Sequence, residues 1–383
     1  MSVSTATGAG CTCSPLQTTA ERAGPAALGR QMRAAVYRGA GRVVVEQVPV
    51  PEICDGEVLI RVAACGICGT DLKKIQHGFV AAPQIFGHEV AGTVVTVGRG
   101  VHRWKPGDRV VSFHHVPCGG CFYCQRRLFS QCPAYKKVGL TAGFDPNGGG
   151  FAEYARAMPW IAERGMVEIP AGVSFEEATF VEPVNTCLKA VEKARVAAGE
   201  TVLVMGQGPI GLLLMMLSRL VGATVLTSDP MPERRAMSEH LGAGAAFDPQ
   251  AGRLAEEVMA RTEGRGADVV LVAVPLPAAL SEALALARPG GRVLLFAQND
   301  PQMKIEFPAA AVGVEEKEIL GSYSAAVDRQ EESARLVFSR ELPVARLITH
   351  RFPLQEFDRA FSLAARPTRD SLKVLIMPVM EES

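Results

Sequence analysis

The chain has 383 residues, which at roughly 100–200 residues per domain implies two domains. Hydrophobic residues make up 48% and charged residues 21%, a folding composition that excludes a largely disordered chain. Lys+Arg is 40 and Asp+Glu is 40, so no net charge draws the protein to nucleic acid or to an anionic membrane.

Residues 1–31 are rich in Ser, Thr, Ala and Gly without an apolar period, which predicts a disordered tail. Met32 opens the patterned chain, and one expectation is that the native protein starts there; its intact mass tests this. The tail has no hydrophobic block of the secretory kind. The longest apolar run, Pro209 to Leu217, is about half the ~20 residues a bilayer requires. Ten cysteines are too few for a disulfide scaffold of this length. The expectation is a cytoplasmic protein with neither membrane nor nucleic-acid partner.

From Met32 to about Phe180 the pattern is short and β-like. VLIRVAAC (58–65), GTVVTVG (92–98) and DRVVSF (108–113) are Val-rich runs bounded by Gly and Pro. From about Asn185 to Ser324 strands alternate with helices. TVLVMG (201–206), TVLTSD (224–229), DVVLVAV (268–274) and RVLLFA (292–297) read as parallel strands. PIGLLLMMLSRLVG (209–222) and PAALSEALALARPG (277–290) read as helices between them. This rhythm predicts an α/β protein with a doubly wound parallel sheet. A helix, SARLVFSR (333–340), and a strand, LKVLIMPV (372–379), follow.

Three constellations carry chemistry. Gly206-Gln-Gly208-Pro209-Ile210-Gly211 follows a strand and opens a helix. The first Gly makes a tight turn, the second lets backbone approach a pyrophosphate, and the third lets helix and sheet pack closely. Pro209 fits the first helical turn, and the helix start favours phosphate charge. Asp229, eighteen residues past Gly211, is placed to accept from both ribose hydroxyls and to repel a 2′-phosphate, favouring NAD over NADP. Arg234 complicates this: it reads as an adenine neighbour, a 2′-phosphate ligand or a solvated helix residue. Ala273 and Phe296, at two later strand ends, complete the expected cofactor-binding set.

Cys118, Cys121, Cys124 and Cys132 form C-x2-C-x2-C-x7-C. Four thiolates at this spacing close a tetrahedral Zn²⁺ shell without an open position, so this zinc is expected to be structural. An iron–sulfur cluster is the competing reading. Upstream, Cys68, His88 and a carboxylate are three plausible ligands of a second zinc, leaving a fourth position for substrate. His114 and His115 read as a surface pair near the cleft. Phe113, Phe144 and Phe151 read as core.

The motifs GICGTD (66–71), GHEVAGTVVTVG (87–98), KPGDRV (105–110), the four-cysteine lobe, GGGFAEY (148–154) and GQGPIG (206–211) occur in this order. With them the sequence resembles the zinc-dependent medium-chain dehydrogenases/reductases, the alcohol dehydrogenase type, over about residues 32–383. The resemblance implies a GroES-like β-rich catalytic domain (32–184, with the zinc lobe at 117–133, rejoined by 325–383) and an inserted Rossmann domain (185–324). It makes Cys68 and His88 catalytic zinc ligands. Phe180-Val-Glu182-Pro resembles the polyol (sorbitol-like) and threonine dehydrogenase branch, in which Glu89 or Glu182 supplies the carboxylate. Thr70 becomes the first member of a proton relay, and Asp71 the carboxylate that orients His88. Some relatives continue the relay with a His where this chain has Lys73, a poor base at its ordinary pKa.

The implied activity is oxidation of a secondary alcohol or polyol, with zinc polarising the alcohol and NAD taking the hydride. Two zincs and one NAD per chain are expected. The partners expected are the small-molecule substrate and further copies of the chain, as a dimer or tetramer, with EILGSY (318–323) as an edge strand able to pair. Two rival readings are a zinc-free NADPH-dependent quinone or enone reductase and a non-catalytic zinc- and nucleotide-binding protein.

Overall fold

β-Branched runs become strands here because their stiff side chains suit a pleated, half-buried surface. The computed structural model describes residues 31–296 and 304–378; the expected tail, apart from Gln31, lies outside the described residues. The strand Val58–Gly66 pairs antiparallel with Glu89–Val97, which pairs in turn with Arg109–Ser112. Lys373–Met377 joins the other edge of Val58–Gly66, with Leu375 opposite Gly66 and Ile376 opposite Cys65. The C-terminal segment therefore closes the same curled sheet that carries the first chemical motif.

The second unit is a six-stranded parallel sheet. Its order is Ala245–Phe247, Thr224–Ser228, Thr201–Met205, Ala267–Val272, Ala287–Leu295 and Glu318–Gly321. The order reverses between Thr201–Met205 and Ala267–Val272. A crevice opens at such a switch point, and ligands bind there in doubly wound sheets. The α/β expectation and the two sheet types are borne out. Boundaries move: the helix read to residue 290 is Pro277–Leu286, because Ala287–Gly290 already belong to the next strand, Ala287–Leu295. The helix read as 333–340 is Gln330–Phe338.

One buried apolar cluster runs from Val111 and Phe113 through Val184 to Val202 and Leu213. It is continuous across both sheets, with the helix Val181–Lys193 between them. Phe151 lies in the second core and Phe144 packs against it. Among the described residues no helix is long and apolar enough to cross a membrane.

Candidate active site

The strand Val58–Gly66 ends where the helix Gly69–His77 begins, and Cys68 caps that helix. Asp71, fully buried, accepts from the Cys68 backbone N–H at 3.1 Å. Its other oxygen accepts from Gly87 N–H at 3.4 Å and faces His88 Nδ1 at 3.1 Å. Burial alone would raise the Asp71 carboxyl; the charge and hydrogen bond of His88 outweigh it and hold the group below its ordinary value. An ionised carboxylate only accepts, so Nδ1 donates; against its burial, Asp71 and Cys68 also hold the ring protonated in the metal-free chain, and a bound metal would displace the proton on Nε2. One side chain thus ties the helix start to the Gly-His-Glu turn. Gly87 is required there: its φ is +92°, and a Cβ would lie 2.7 Å from the Phe151 ring.

Ligand atoms of Cys68, His88 and Glu89 lie within 4.8 Å of one another. Soft sulfur, imidazole and carboxylate are a donor set that fits Zn²⁺ with a position left open. Glu89 is also ion-paired with Lys373, both buried, and Lys373 Nζ donates to Ile67 O at 3.2 Å. A Cβ on Gly66 would sit 1.9 Å from Glu89 Oε2, so only glycine admits this pair. Glu182 lies outside the three-residue cluster and faces the same cavity. Its Oε1 is 3.9 Å from His114 Nδ1. Burial pushes its carboxyl up to about 7, with His88 opposing and Glu89 adding to the rise.

The cavity, about 240 Å³, is lined by the ligand set and by Thr70 and Lys73. Ile210, Ala273 and Phe296 of the parallel-sheet unit form its far wall. His114 and His115 line it too, which corrects the surface expectation. The strand Arg109–Ser112 ends before them, so the strict in–out alternation of a strand no longer applies. Their ring centroids lie 4.4 Å apart with the planes tilted by 49°; His88 packs on His114 at 4.7 Å and Tyr135 on His115 at 5.4 Å. Burial holds His114 well below its ordinary value and His115 down at about 3, so both are neutral. Lys136, Tyr323 and Lys373 also belong to this region and carried no signal in the sequence. Cys65 is buried in the core, and Cys187 lies against Ile210 O at 3.9 Å, outside the ligand set.

The four lobe cysteines converge, with all sulfurs within 4.8 Å. Cys121 Sγ is 3.5 Å and Cys118 Sγ 3.9 Å from Cys124 Sγ. Tetrahedral Zn–S bonds of about 2.3 Å place sulfurs about 3.8 Å apart, so the shell fits zinc. Backbone N–H groups of Gly120 and Cys121 lower the Cys118 thiol to about 6, favouring the thiolate a metal needs.

The nucleotide loop shows the three glycine roles separately. Gly206 has φ +92° and a Cβ would meet Val274 at 2.4 Å; a Cβ on Gly211 would lie 1.7 Å from Gly206 O. At Gly208 the nearest atom is Arg234 Nη1 at 3.9 Å. That space, at the start of the helix Pro209–Leu220, is the cradle a pyrophosphate would fill. Asp229 Oδ2 accepts from Gln207 N–H at 2.7 Å and Oδ1 from Met231 N–H at 2.8 Å, fixing the carboxylate beside the loop. Arg234 Nη1 stands 3.9 Å from Asp229 and the side chain is largely buried, so the solvated reading fails.

Comparison with known proteins agrees with this geometry. Residues 54–171 match the alcohol dehydrogenase GroES-like domain and residues 209–339 the zinc-binding dehydrogenase domain. Sorbitol dehydrogenase of Bacillus subtilis is 30% identical over 358 residues, covering 91% of this chain and 98% of that one. L-threonine 3-dehydrogenase of Pyrococcus horikoshii is 32% identical, covering 85% and 92%. A zinc-binding dehydrogenase of Sinorhizobium meliloti 1021, solved bound to NADP, superposes with a TM-score of 0.82 at 31% identity, covering 91% and 99%. The chain belongs to the zinc-binding, alcohol dehydrogenase-type family of oxidoreductases.

Proposed function

We propose that the protein is a zinc-dependent, NAD-linked dehydrogenase that oxidises a secondary alcohol or polyol to the carbonyl compound. The observation that carries this is the convergence of Cys68, His88 and Glu89 on a cavity whose far wall is Ile210, Ala273 and Phe296. Bound there, the metal supplies Lewis acidity toward the alcohol oxygen and the nicotinamide supplies the hydride acceptor.

The chain's own residues do the rest. Cys68, His88 and Glu89 hold the metal, and Asp71 orients His88. Glu182, facing the open side, serves as the exchangeable carboxylate. The Thr70 hydroxyl would receive the alcohol proton while passing its own on to the cofactor ribose or to water, because Lys73 stands where some relatives have the outer imidazole. Gly208 and the helix start take the pyrophosphate, and Asp229 the ribose hydroxyls. The lobe cysteines hold a second, structural zinc. The catalytic unit is 32–184 with 325–383, and the cofactor unit is 185–324. Glu318–Gly321 is an edge strand of the parallel sheet, suited to pairing with a second copy in a homo-oligomer; the cell compartment proposed is the cytoplasm.

The test is reduction of NAD and of NADP on pooled polyols, sugars, vicinal diols, secondary alcohols and hydroxy-amino acids, with and without a zinc chelator. Chelator-sensitive reduction of NAD in one pool supports the reading. Reduction that survives complete zinc removal, with NADPH preferred, would favour the zinc-free reductase.

A further inference from the structure

The wall of the cavity opposite the nucleotide loop carries three lysines. Lys73 and Lys74 stand on the helix Gly69–His77 and are half-buried; Lys136 stands exposed at the rim. Among the described residues no carboxylate lies within ion-pairing distance of any of the three, whereas Lys373, deeper in, is paired with Glu89. Lys74 and Lys136 line the same cavity as His114 and His115, with Lys74 Nζ 5.6 Å from the Phe86 ring centroid. Those imidazoles each keep a buried Nδ1 without a hydrogen-bond partner, that of His114 lying 3.9 Å from Glu182 Oε1. Lys136 Nζ lies 5.3 Å from the Tyr323 ring centroid, which brings it over the cavity mouth.

Clustering ammonium groups in a half-buried wall costs free energy unless an anion completes it. The other charges do not supply that anion. Cys68, Glu89 and Glu182 together offset one divalent metal and the buried Lys373, and Asp71 is taken up by Cys68, Gly87 and His88. The cofactor's phosphates are provided for on the opposite wall, at Gly208.

Resting on the dehydrogenase reading above, we propose that the substrate is an acidic polyol, whose anionic group, a carboxylate or a phosphate ester, is held by Lys74, Lys136 and the His114–His115 pair while its hydroxyl faces the metal ligands. The cavity then selects by charge at one end and by alcohol chemistry at the other.

The test uses the metal-loaded full chain and a matched series: a five- or six-carbon polyol, its terminal phosphate monoester and the corresponding aldonic acid. An anionic member should exceed the neutral polyol at least about tenfold in kcat/KM, and its KM should rise with ionic strength. Whether phosphate or carboxylate leads names the source of the charge. Lys74→Met and Lys136→Met should each raise the KM of the anionic member about tenfold, collapsing its advantage. Lys136, at the rim, is the informative variant where Lys74→Met fails to fold. A neutral polyol preferred throughout, with selectivity unmoved by either variant, overturns the inference and leaves the dehydrogenase reading standing. A raised KM for the cofactor in place of the substrate also overturns it, since the lysines then serve the dinucleotide. Should no member reduce either cofactor, the polyol branch of the dehydrogenase reading fails, and calorimetry still decides the anion site. Binding of an anionic member that Lys136→Met abolishes supports it, and no binding by wild type overturns it.

Discussion

The two candidate metal centres are built in opposite ways. The lobe draws four cysteines from fifteen consecutive residues, 118–132, and its sulfurs close on each other with no other donor needed. The cavity cluster draws Cys68 from a helix cap, His88 from the turn before a strand, Glu89 from that strand's first position, and its supporting cation, Lys373, from the last strand. The local site completes its own shell and can only staple. The dispersed site leaves a side open, depends on the tertiary fold for its geometry, and faces Ile210, Ala273 and Phe296 of the parallel-sheet unit across the cavity.

That contrast can be broken by substitution. The largest effect belongs to His88→Ala, which should lower kcat/KM by about 10³-fold or more, since Lewis-acid stabilisation is worth several kcal/mol. Its thermal stability should stay close to wild type; steady-state kinetics beside a melting curve check both. Cys121→Ser should do the reverse. It should lose the lobe's metal and become protease-sensitive near 117–133, with activity lost only as the lobe opens. Limited proteolysis with mass mapping reads this out, and cleavage elsewhere would contradict it.

Lys373→Met probes the coupling of the dispersed site to the fold. It strands the Glu89 carboxylate in the interior, at a cost of about 3–5 kcal/mol. The loss should be greater in metal-free protein, where no cation faces Glu89, than in loaded protein; denaturation of both forms compares them. The smallest effect concerns the cofactor. Asp229→Asn keeps an acceptor for the Gln207 N–H but removes the charge, and it should shift preference from NAD toward NADP by about tenfold. Paired KM values for the two cofactors would show it, and an unchanged ratio would mean that Arg234 already governs the choice.

What could be read from the sequence follows the same division. GQGPIG and the four cysteines were legible because their physics is local: a tight turn, a helix start, a closed shell. Asp229 was legible because its distance from the loop is set by one helix and one strand. The pairing of Lys373 with Glu89 was not, since it spans nearly the whole chain and depends on the last strand returning to Val58–Gly66. His114 and His115 were misplaced because two polar neighbours read as exposed; only the packing of Tyr135 and His88 shows why both turn inward. Lys136 and Tyr323 meet across the two units, a contact that no local pattern encodes. The helix ending at Leu286 was overrun because Ala and Leu suit either element until pairing with Ala267–Val272 decides.

The proposed function puts two zinc ions on one chain, in sites of different kind. Metal content by plasma mass spectrometry, measured on wild type, Cys68→Ser and Cys121→Ser, tests it most directly. The account predicts two zinc ions per wild-type chain and one in each variant, with Cys68→Ser inactive and still holding the lobe's metal. Wild-type protein that stays at one zinc after reloading, or a Cys68→Ser variant that retains two, would contradict it.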